Sequence, residues 1–296
     1  MFTLISIFIL SISLFAYFCL LHLFQKQKSK RLTHEKKAKL LLTGTIANFA
    51  DTLGMGSYAI TTALNKLWNL IHDKSLPGTL NSQSILPTIF QALIFLKFID
   101  IDFLTLITLT IGASFGGLAA GFFIARLNKQ HIRLCMSYGY LGIALLLLCH
   151  QLQVLPLGGD SISLEGKKLL YGFFAMIAAG MLPSIGVGIY APIQVILFLF
   201  GMSPLIAFPI MTTVGAITQS LTAYAFIAKK EVATRESLAL SWGGVLGVLL
   251  ATPLVTLINL SSLRWLLMLI VCYNAWMIWK SYKKDRFQSL ETARPF

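Results

Sequence analysis

The sequence predicts an all-α integral membrane protein. We expect two inverted repeats of helices with broken or re-entrant half-helices, preceded by an N-terminal transmembrane anchor. Three observations lead to this prediction: the composition, a series of long apolar runs, and an internal repeat. Of the 296 residues, 56% are hydrophobic and 12% are charged, whereas a soluble domain carries about 25% charged residues. So few polar residues cannot cover a protein surface in water, and we expect lipid to surround the chain.

Long apolar runs recur along the whole sequence. They lie at 2–24, 83–99, 103–125, 132–149, 204–228, 238–258 and 265–279. A helix needs about 20 apolar residues to cross a bilayer, and lipid offers the backbone no hydrogen-bond partners, so a spanning segment must satisfy its own. Strands of a membrane barrel would alternate in hydrophobicity over short segments, and these runs do not. The runs therefore predict helices.

The first apolar run is predicted to remain on the protein. It has no positively charged segment before it and no small-residue cleavage site after it, although a secretory signal peptide carries both. We therefore predict an N-terminal transmembrane helix at 1–25 with its N-terminus outside the cell. The predicted location is the cell inner (cytoplasmic) membrane, crossed several times.

Basic residues are concentrated in two segments that flank apolar runs. The net charge is +13, and the segments 26–39 and 280–286 account for nine of these charges. The positive-inside rule predicts such segments on the cytoplasmic side, so we predict a basic cytoplasmic loop at 26–39 and a cytoplasmic tail at 281–296. Attraction to the lipid bilayer accounts for this charge, and no nucleic-acid partner is predicted.

An internal repeat divides the rest of the chain. At an offset of 132, Leu53–Ala59 matches Ile185–Ala191 and Pro77 matches Pro209; at 131, Gly112 and Gly116 match Gly243 and Gly247. These matches predict membrane repeat 1 at 40–150 and membrane repeat 2 at 168–280, joined by a linker at 151–167. Secondary transporters are often built from such repeats and bind substrate where the repeats meet.

Each repeat contains an apolar stretch of unusual length. Residues 168–200 number 33, with an interruption at 182–188, which is too long for one span and too short for two. We predict a pair of half-helices that turn back there, and an equivalent turn at 51–56. Each repeat would then cross three times, and the repeats would be inverted. The alternative of single broken spans and parallel repeats stays open, because the distribution of basic residues separates the two only slightly.

The interruptions predict a site for an anion. A half-helix that begins at Gly56 or Gly188 directs free N–H groups and a partial positive charge toward the membrane centre. Two such ends can hold an anion without a buried lysine or arginine. The predicted substrate-binding residues are Gly54, Gly56, Ser57, Tyr58, Gly186, Gly188, Tyr190, Asn81 and Gln194. For the pairs Gly112/Gly116 and Gly243/Gly247 we prefer a simpler role in close helix packing.

Asp51 is the only carboxylate well inside an apolar segment. Ionisable groups inside the membrane usually mark functional sites, so we predict that Asp51 couples transport to protons. The alternative, that Asp51 caps the N-terminus of a half-helix, stays open. The sequence shows no catalytic motif and no metal-ligand spacing, so we predict neither an enzyme nor a cofactor or metal.

Five segments together resemble the sulfite exporter TauE/SafE family of bacterial and archaeal permeases. They are Gly44–Ala59, Leu76–Asn81, Gly186–Pro192, Phe208–Met211 and Ser241–Gly247. The resemblance covers about 40–280 and implies a secondary transporter that exports a small inorganic or organosulfur anion, such as sulfite or an organosulfonate. The chain departs from the family pattern at Ile60, where the second copy has Pro192. Open alternatives are a non-transporting scaffold or assembly factor and a cation transporter, and a homodimer is also open.

Overall fold

The computed structural model describes residues 2–26, 32–54, 56–98, 101–155, 158–254, 272–273, 275–280 and 282–283. Its helices are α1 (Phe2–Lys26), α2 (His34–Thr52), α3 (Ser57–Trp68), α4 (Leu76–Phe98), α5 (Phe103–Ile124), α6 (Lys129–Gln151), α7 (Gly166–Met181), α8 (Tyr190–Leu199), α9 (Pro204–Ala228) and α10 (Thr234–Ala251). Short 3-10 helices follow α7 at Leu182–Ile185 and α10 at Thr252–Leu254. Within the described residues there is no β-strand, so the predicted all-α class is confirmed for them.

Within the part of the chain that the structure describes, six helices are long and apolar enough to cross a membrane. They are Thr3–Lys26, Phe103–Ile124, Lys129–Cys149, Gly166–Ile185, Ile206–Ala228 and Thr234–Leu254. The predicted helical runs at 2–24, 103–125, 132–149, 204–228 and 238–258 fall on five of these. Most of the run at 265–279, part of the basic loop and nearly all of the tail lie outside the described residues.

The predicted run at 83–99 does not correspond to one of these six helices. It forms part of α4, which begins earlier, at Leu76, and includes the polar stretch Asn81–Ser84. The predicted helix is confirmed, but it is more polar than a lipid-facing span, because α4 is buried among other helices and can therefore carry polar side chains. Its buried polar residues are Thr79, Asn81, Ser82, Gln83, Ser84, Thr88 and Gln91.

Ion pairs between helix ends define one face of the protein, which we call the basic face. Lys36 at the start of α2 pairs with Glu236 at the start of α10, with 2.7 Å between Nζ and Oε1. Lys66 near the end of α3 pairs with Asp73, just before α4, at 2.6 Å. Lys74, next to Asp73, pairs with Glu231, just before α10, at 2.6 Å. The end of α3 therefore lies on the same face as the start of α2, so the chain turns back between these two helices.

The opposite face collects the other helix ends. The N–H of Leu164, just before α7, donates to Thr105 Oγ1 near the start of α5 at 2.9 Å. The N–H of Gly159 donates to the carbonyl of Met202, just after α8, at 3.1 Å. The end of α8 thus lies on the face where α7 begins, so the chain also turns back between α7 and α8. In both cases the helix before the turn is longer than the helix after it. Helices α2 and α7 have 19 and 16 residues, whereas α3 and α8 have 12 and 10.

Helices α2 and α10 are in close backbone contact. A Cβ atom added to Gly243 would lie 2.1 Å from the carbonyl oxygen of Leu41, and one added to Gly247 would lie 2.2 Å from that of Thr45. These contacts follow each other in the same order along both helices, so α2 and α10 run parallel.

Helices α5 and α7 repeat this arrangement. A Cβ atom added to Gly112 would lie 2.6 Å from the carbonyl oxygen of Phe173, and one added to Gly116 would lie 2.0 Å from that of Ile177. The sequence repeat relates these four residues to the four residues of the α2–α10 contact. Gly112 and Gly116 correspond to Gly243 and Gly247, and Phe173 and Ile177 correspond to Leu41 and Thr45. The packing role predicted for both glycine pairs is therefore confirmed, since a larger side chain would collide with backbone.

Helices α4 and α9 lie at the centre, against each other. Helix α4 also packs on α10, as α9 packs on α5. Helix α1 lies outside them along α9, where the Ser220 hydroxyl donates to Ser13 Oγ at 3.0 Å and the Phe15 ring lies 5.8 Å from that of Tyr224. These contacts make α1 parallel to α9, so α1 ends at the basic face.

Candidate functional site

The two chain reversals are formed by glycines and a 3-10 turn. Gly54, Gly56 and Gly186 have φ of 92°, 76° and 77°, values that residues with a Cβ adopt only at a cost. Gly56 precedes the first residue of α3, as predicted. Helix α8 begins at Tyr190 rather than at Gly188, because the 3-10 turn and Gly186 already complete the reversal and leave Gly188 without a positive φ.

The two reversals meet inside the protein. A Cβ atom added to Gly188 would lie 3.9 Å from Cβ of Tyr58. The hydroxyl of Tyr140, from α6, donates to the carbonyl of Gly186 at 2.9 Å and lies 3.3 Å from the carbonyl oxygen of Tyr58. The hydroxyl of Thr62 lies 3.0 Å from that of Tyr140. One side chain from α6 therefore holds the backbone of both reversals together.

An amide side chain on α4 makes a second link between the reversals. The Tyr58 hydroxyl donates to Oδ1 of Asn81 at 2.9 Å, and Nδ2 of Asn81 donates to the carbonyl of Pro183 at 2.8 Å. Tyr58 lies at the start of α3 and Pro183 lies in the turn after α7. This link therefore runs from the first reversal to the second.

A third link begins at the second reversal and ends at the first. The Tyr190 hydroxyl donates to Oε1 of Gln91 at 2.9 Å, and Nε2 of Gln91 donates to Oδ2 of Asp51 at 3.0 Å. The sequence repeat relates Tyr190 to Tyr58 and Asp51 to Pro183. Each repeat tyrosine is therefore joined, through an amide of α4, to the reversal of the other repeat.

Asp51 caps helix α3. The N–H of Ser57, the first residue of α3, donates to Oδ1 of Asp51 at 2.6 Å. Asp51 is 5% exposed, and both of its oxygens accept hydrogen bonds. The geometry thus matches the capping alternative, and the proton-coupling role stays a prediction. A carboxylate that already occupies the positive end of α3 also leaves that end unable to bind a second anion.

The remaining predicted residues are placed less centrally. A Cβ atom on Gly54 would lie 3.7 Å from the ring of Phe208 on α9, so Gly54 borders α9 rather than the second reversal. Gln194 is half-buried and makes no hydrogen bond to another described residue. The structure therefore brings together Asp51, Ser57, Tyr58, Asn81, Gly186, Gly188 and Tyr190, with Gly56 at the first reversal, and leaves Gln194 apart.

Two central residues were absent from the predicted binding set. Gln91 lies on the helix that follows the first reversal, and its signal in the sequence is an amide inside an apolar stretch. Tyr140 has no such signal, because its local sequence resembles that of Tyr138, which is 58% exposed. Only the packing of α6 against both reversals distinguishes the two tyrosines.

Several polar atoms near the centre lack hydrogen-bond partners. Within the described residues, buried side-chain oxygens on α2, α4, α9 and α10 make no hydrogen bond: Asn48 Oδ1, Ser82 Oγ, Gln83 Oε1, Thr213 Oγ1, Gln219 Oε1, Ser237 Oγ and Ser241 Oγ. Leaving one such atom unpaired costs roughly 1–3 kcal/mol. Water molecules satisfy such buried atoms where they can reach them.

Comparison with protein-family models, with curated proteins and with solved structures finds no match to this chain.

Proposed function

We propose that the chain is a multi-pass membrane protein built from two inverted repeats. Helix α3 returns to the face where α2 begins, and α8 returns to the face where α7 begins. Each repeat then crosses the membrane three times, with the run predicted at 265–279 as the last crossing of the second repeat, and an odd number of crossings inverts the second repeat relative to the first. The parallel pairs α2–α10 and α5–α7, at positions related by the sequence repeat, support this arrangement. The basic face is then cytoplasmic, as the positive-inside rule expects.

In this proposal the protein is a secondary transporter. One observation is the main support for this function. Two interrupted segments meet in the interior and are joined by Asn81, Gln91 and Tyr140. Breaking helices inside a bilayer is costly and is tolerated only where the backbone lies within protein or lines a watery cavity. Transporters use such breaks to bind substrate midway across the membrane. The buried polar atoms without partners on α4 and α9 lie along the same central pair of helices.

The proposed substrate is a small anion. The start of α8 is the free positive end, because the position equivalent to Asp51 is Pro183, which carries no charge. The hydroxyls of Tyr58 and Tyr190 and the amide of Asn81 lie close by, and an anion would bind them by replacing the hydrogen bonds that they donate within the network. The resemblance to the sulfite exporter TauE/SafE family narrows the class to sulfite or an organosulfonate. Export is the direction that this resemblance implies.

Asp51 is proposed to couple this movement to protons. When its carboxyl group is ionised, it accepts the N–H of Ser57 and occupies the end of α3. Protonation removes the negative charge and frees this end for the substrate. A proton and an anion would then bind together, and their joint movement would be electrically neutral.

Flux in liposomes tests the proposal. Purified protein is reconstituted with sulfite inside, and efflux is followed while a proton gradient or a membrane potential is imposed. Asp51→Asn should abolish gradient-driven flux and leave the fold intact, because an asparagine oxygen can still accept the Ser57 N–H. The matched control is Asp102→Asn, since Asp102 caps α5 at the opposite face by accepting the N–H of Thr105 at 2.7 Å.

Three results would count against parts of this proposal. Unchanged gradient-driven flux in Asp51→Asn would remove the coupling role. Absence of flux for sulfite, sulfate and sulfonates in folded wild-type protein would favour a non-transporting scaffold or assembly factor. Flux of sodium without any anion would favour a cation transporter.

A further inference from the structure

A cavity of about 600 Å³ opens at the basic face, where α1, α2 and α10 come together. Its wall includes Phe24 of α1 and Lys37 and Leu41 of α2. It also includes Arg235, Leu238 and Trp242 of α10. None of these residues belongs to the central site, so the cavity requires an explanation of its own.

The charged end of the cavity is positive. The neighbouring acid Glu236 is already paired with Lys36 at 2.7 Å, and none of the described residues that line the cavity is acidic. Arg235 lies with its guanidinium carbon 5.0 Å from the centre of the Phe24 ring. Its Nε atom is buried and makes no hydrogen bond to a described residue. A buried donor without a partner indicates a place for an acceptor, and the charge indicates an anionic one.

The other end of the cavity is apolar and faces outward. Leu41 follows Lys37 by one helical turn, and Leu238 and Trp242 follow Arg235 by one and two turns. Since a helix rises 1.5 Å per residue, Trp242 lies about 10 Å deeper than Arg235 along α10. Trp242 is 58% exposed on a helix that is long and apolar enough to cross a membrane. Such an outward apolar wall is of no use to a free ion but suits an acyl chain.

We propose that this cavity binds an anionic phospholipid from the cytoplasmic leaflet. The phosphate lies between Lys37 and Arg235, and one acyl chain follows Leu41, Leu238 and Trp242. Basic pockets between membrane helices on the cytoplasmic side are suited to such headgroups. The lipid would join α1 to the α2–α10 pair and thereby attach the N-terminal anchor to the repeats. This inference is independent of what the protein transports.

Lipid binding to the purified full chain tests the proposal. Retention of phosphatidylglycerol and of phosphatidylcholine with identical acyl chains is compared by native mass spectrometry in detergent. The wild type should retain phosphatidylglycerol preferentially. The double variant Lys37→Gln/Arg235→Gln should lose about 30-fold in apparent affinity, which corresponds to about 2 kcal/mol for two cations at a membrane surface.

The controls separate this site from general charge effects. Lys167→Gln/Lys168→Gln removes two exposed lysines at the start of α7 on the opposite face and should leave retention unchanged. Lys37→Gln alone alters an exposed side chain and should reduce retention even if the double variant misfolds. Equal retention of the two lipids, or an equal loss in the α7 control, would overturn the proposal. So would competition by inorganic phosphate alone, which would indicate a soluble anion.

Discussion

Replacing Gly116 with alanine should force helices α5 and α7 apart. The new Cβ would lie 2.0 Å from the carbonyl oxygen of Ile177, whereas Cβ atoms in proteins essentially never come closer than 3.0 Å to such a neighbour. The obstacle is backbone within a helix, so the helices must separate by about 1 Å. Overpacking of this kind costs roughly 1–3 kcal/mol, and the backbone contact favours the upper part of that range.

A matched glycine makes this cost measurable. Alanine is up to about 1 kcal/mol better than glycine inside a helix, which partly hides the collision in Gly116→Ala. Among the described residues, no atom lies within 4 Å of a Cβ added to Gly142 on α6, so Gly142→Ala gains the same helix propensity without a collision. The difference in unfolding free energy between the two variants therefore reports the packing cost alone.

The assay is denaturant or thermal unfolding of both variants in the same detergent. Gly247→Ala should behave like Gly116→Ala, because it occupies the equivalent contact, 2.2 Å from the carbonyl oxygen of Thr45. If Gly116→Ala and Gly142→Ala were equally stable, the close approach of α5 and α7 would be wrong. If only one of the two buried glycines were sensitive, the equivalence of the two helix pairs would be wrong.

Two further predictions concern stability. Tyr140→Phe should destabilise the protein by about 1–3 kcal/mol in unfolding measurements, because the buried carbonyl of Gly186 loses its hydroxyl donor. An equal effect of Tyr138→Phe, at an exposed position, would contradict this reasoning. At the basic face, burial alone would raise the pKa of Asp73, but the charges of Lys66 and Arg133 outweigh it and hold this pKa below its usual range. The resulting stabilisation is present above about pH 4 and is lost as the pH falls through the depressed pKa. The melting temperature of the wild type should therefore fall more steeply in acid than that of Asp73→Asn. Parallel melting curves for the two proteins would refute the assignment.

Local sequence was sufficient for the features that depend on local chemistry. Apolar runs predicted the helices because a buried or lipid-facing helix needs apolar residues over its whole length. Glycines and a proline predicted where those helices stop. Glycine adopts the backbone angles that a chain reversal requires, and proline lacks the N–H that a continuing helix needs. The interruption predicted at 51–56 coincides with the end of α2 at Thr52 and the start of α3 at Ser57. The start of α8 was misplaced by two residues because a 3-10 turn has no distinct sequence signal.

Helix α4 was judged least well from sequence. Its apolar second half was read as an ordinary span, although the polar residues in its first half and Gln91 are buried at the centre. Hydropathy measures preference for lipid, whereas α4 is surrounded by other helices, on which Asn81 and Gln91 find hydrogen-bond partners. The partners of Asn81 and Gln91 lie up to about a hundred residues away in the chain, at distances that no local pattern reports.

Composition and repeat spacing thus established, without coordinates, an apolar helical chain with two matching interruptions. How the interruptions face each other followed from packing alone. Tyr140 joins them because α6 lies against both reversals. The residues next to Tyr140 in the sequence do not indicate that it lies there. Asp51 shows the same division: its burial in an apolar segment is readable from the sequence, but its bond to Ser57 exists only because α3 turns back beside α2. Hydrogen bonds act over about 3 Å, so they depend on which helix faces meet.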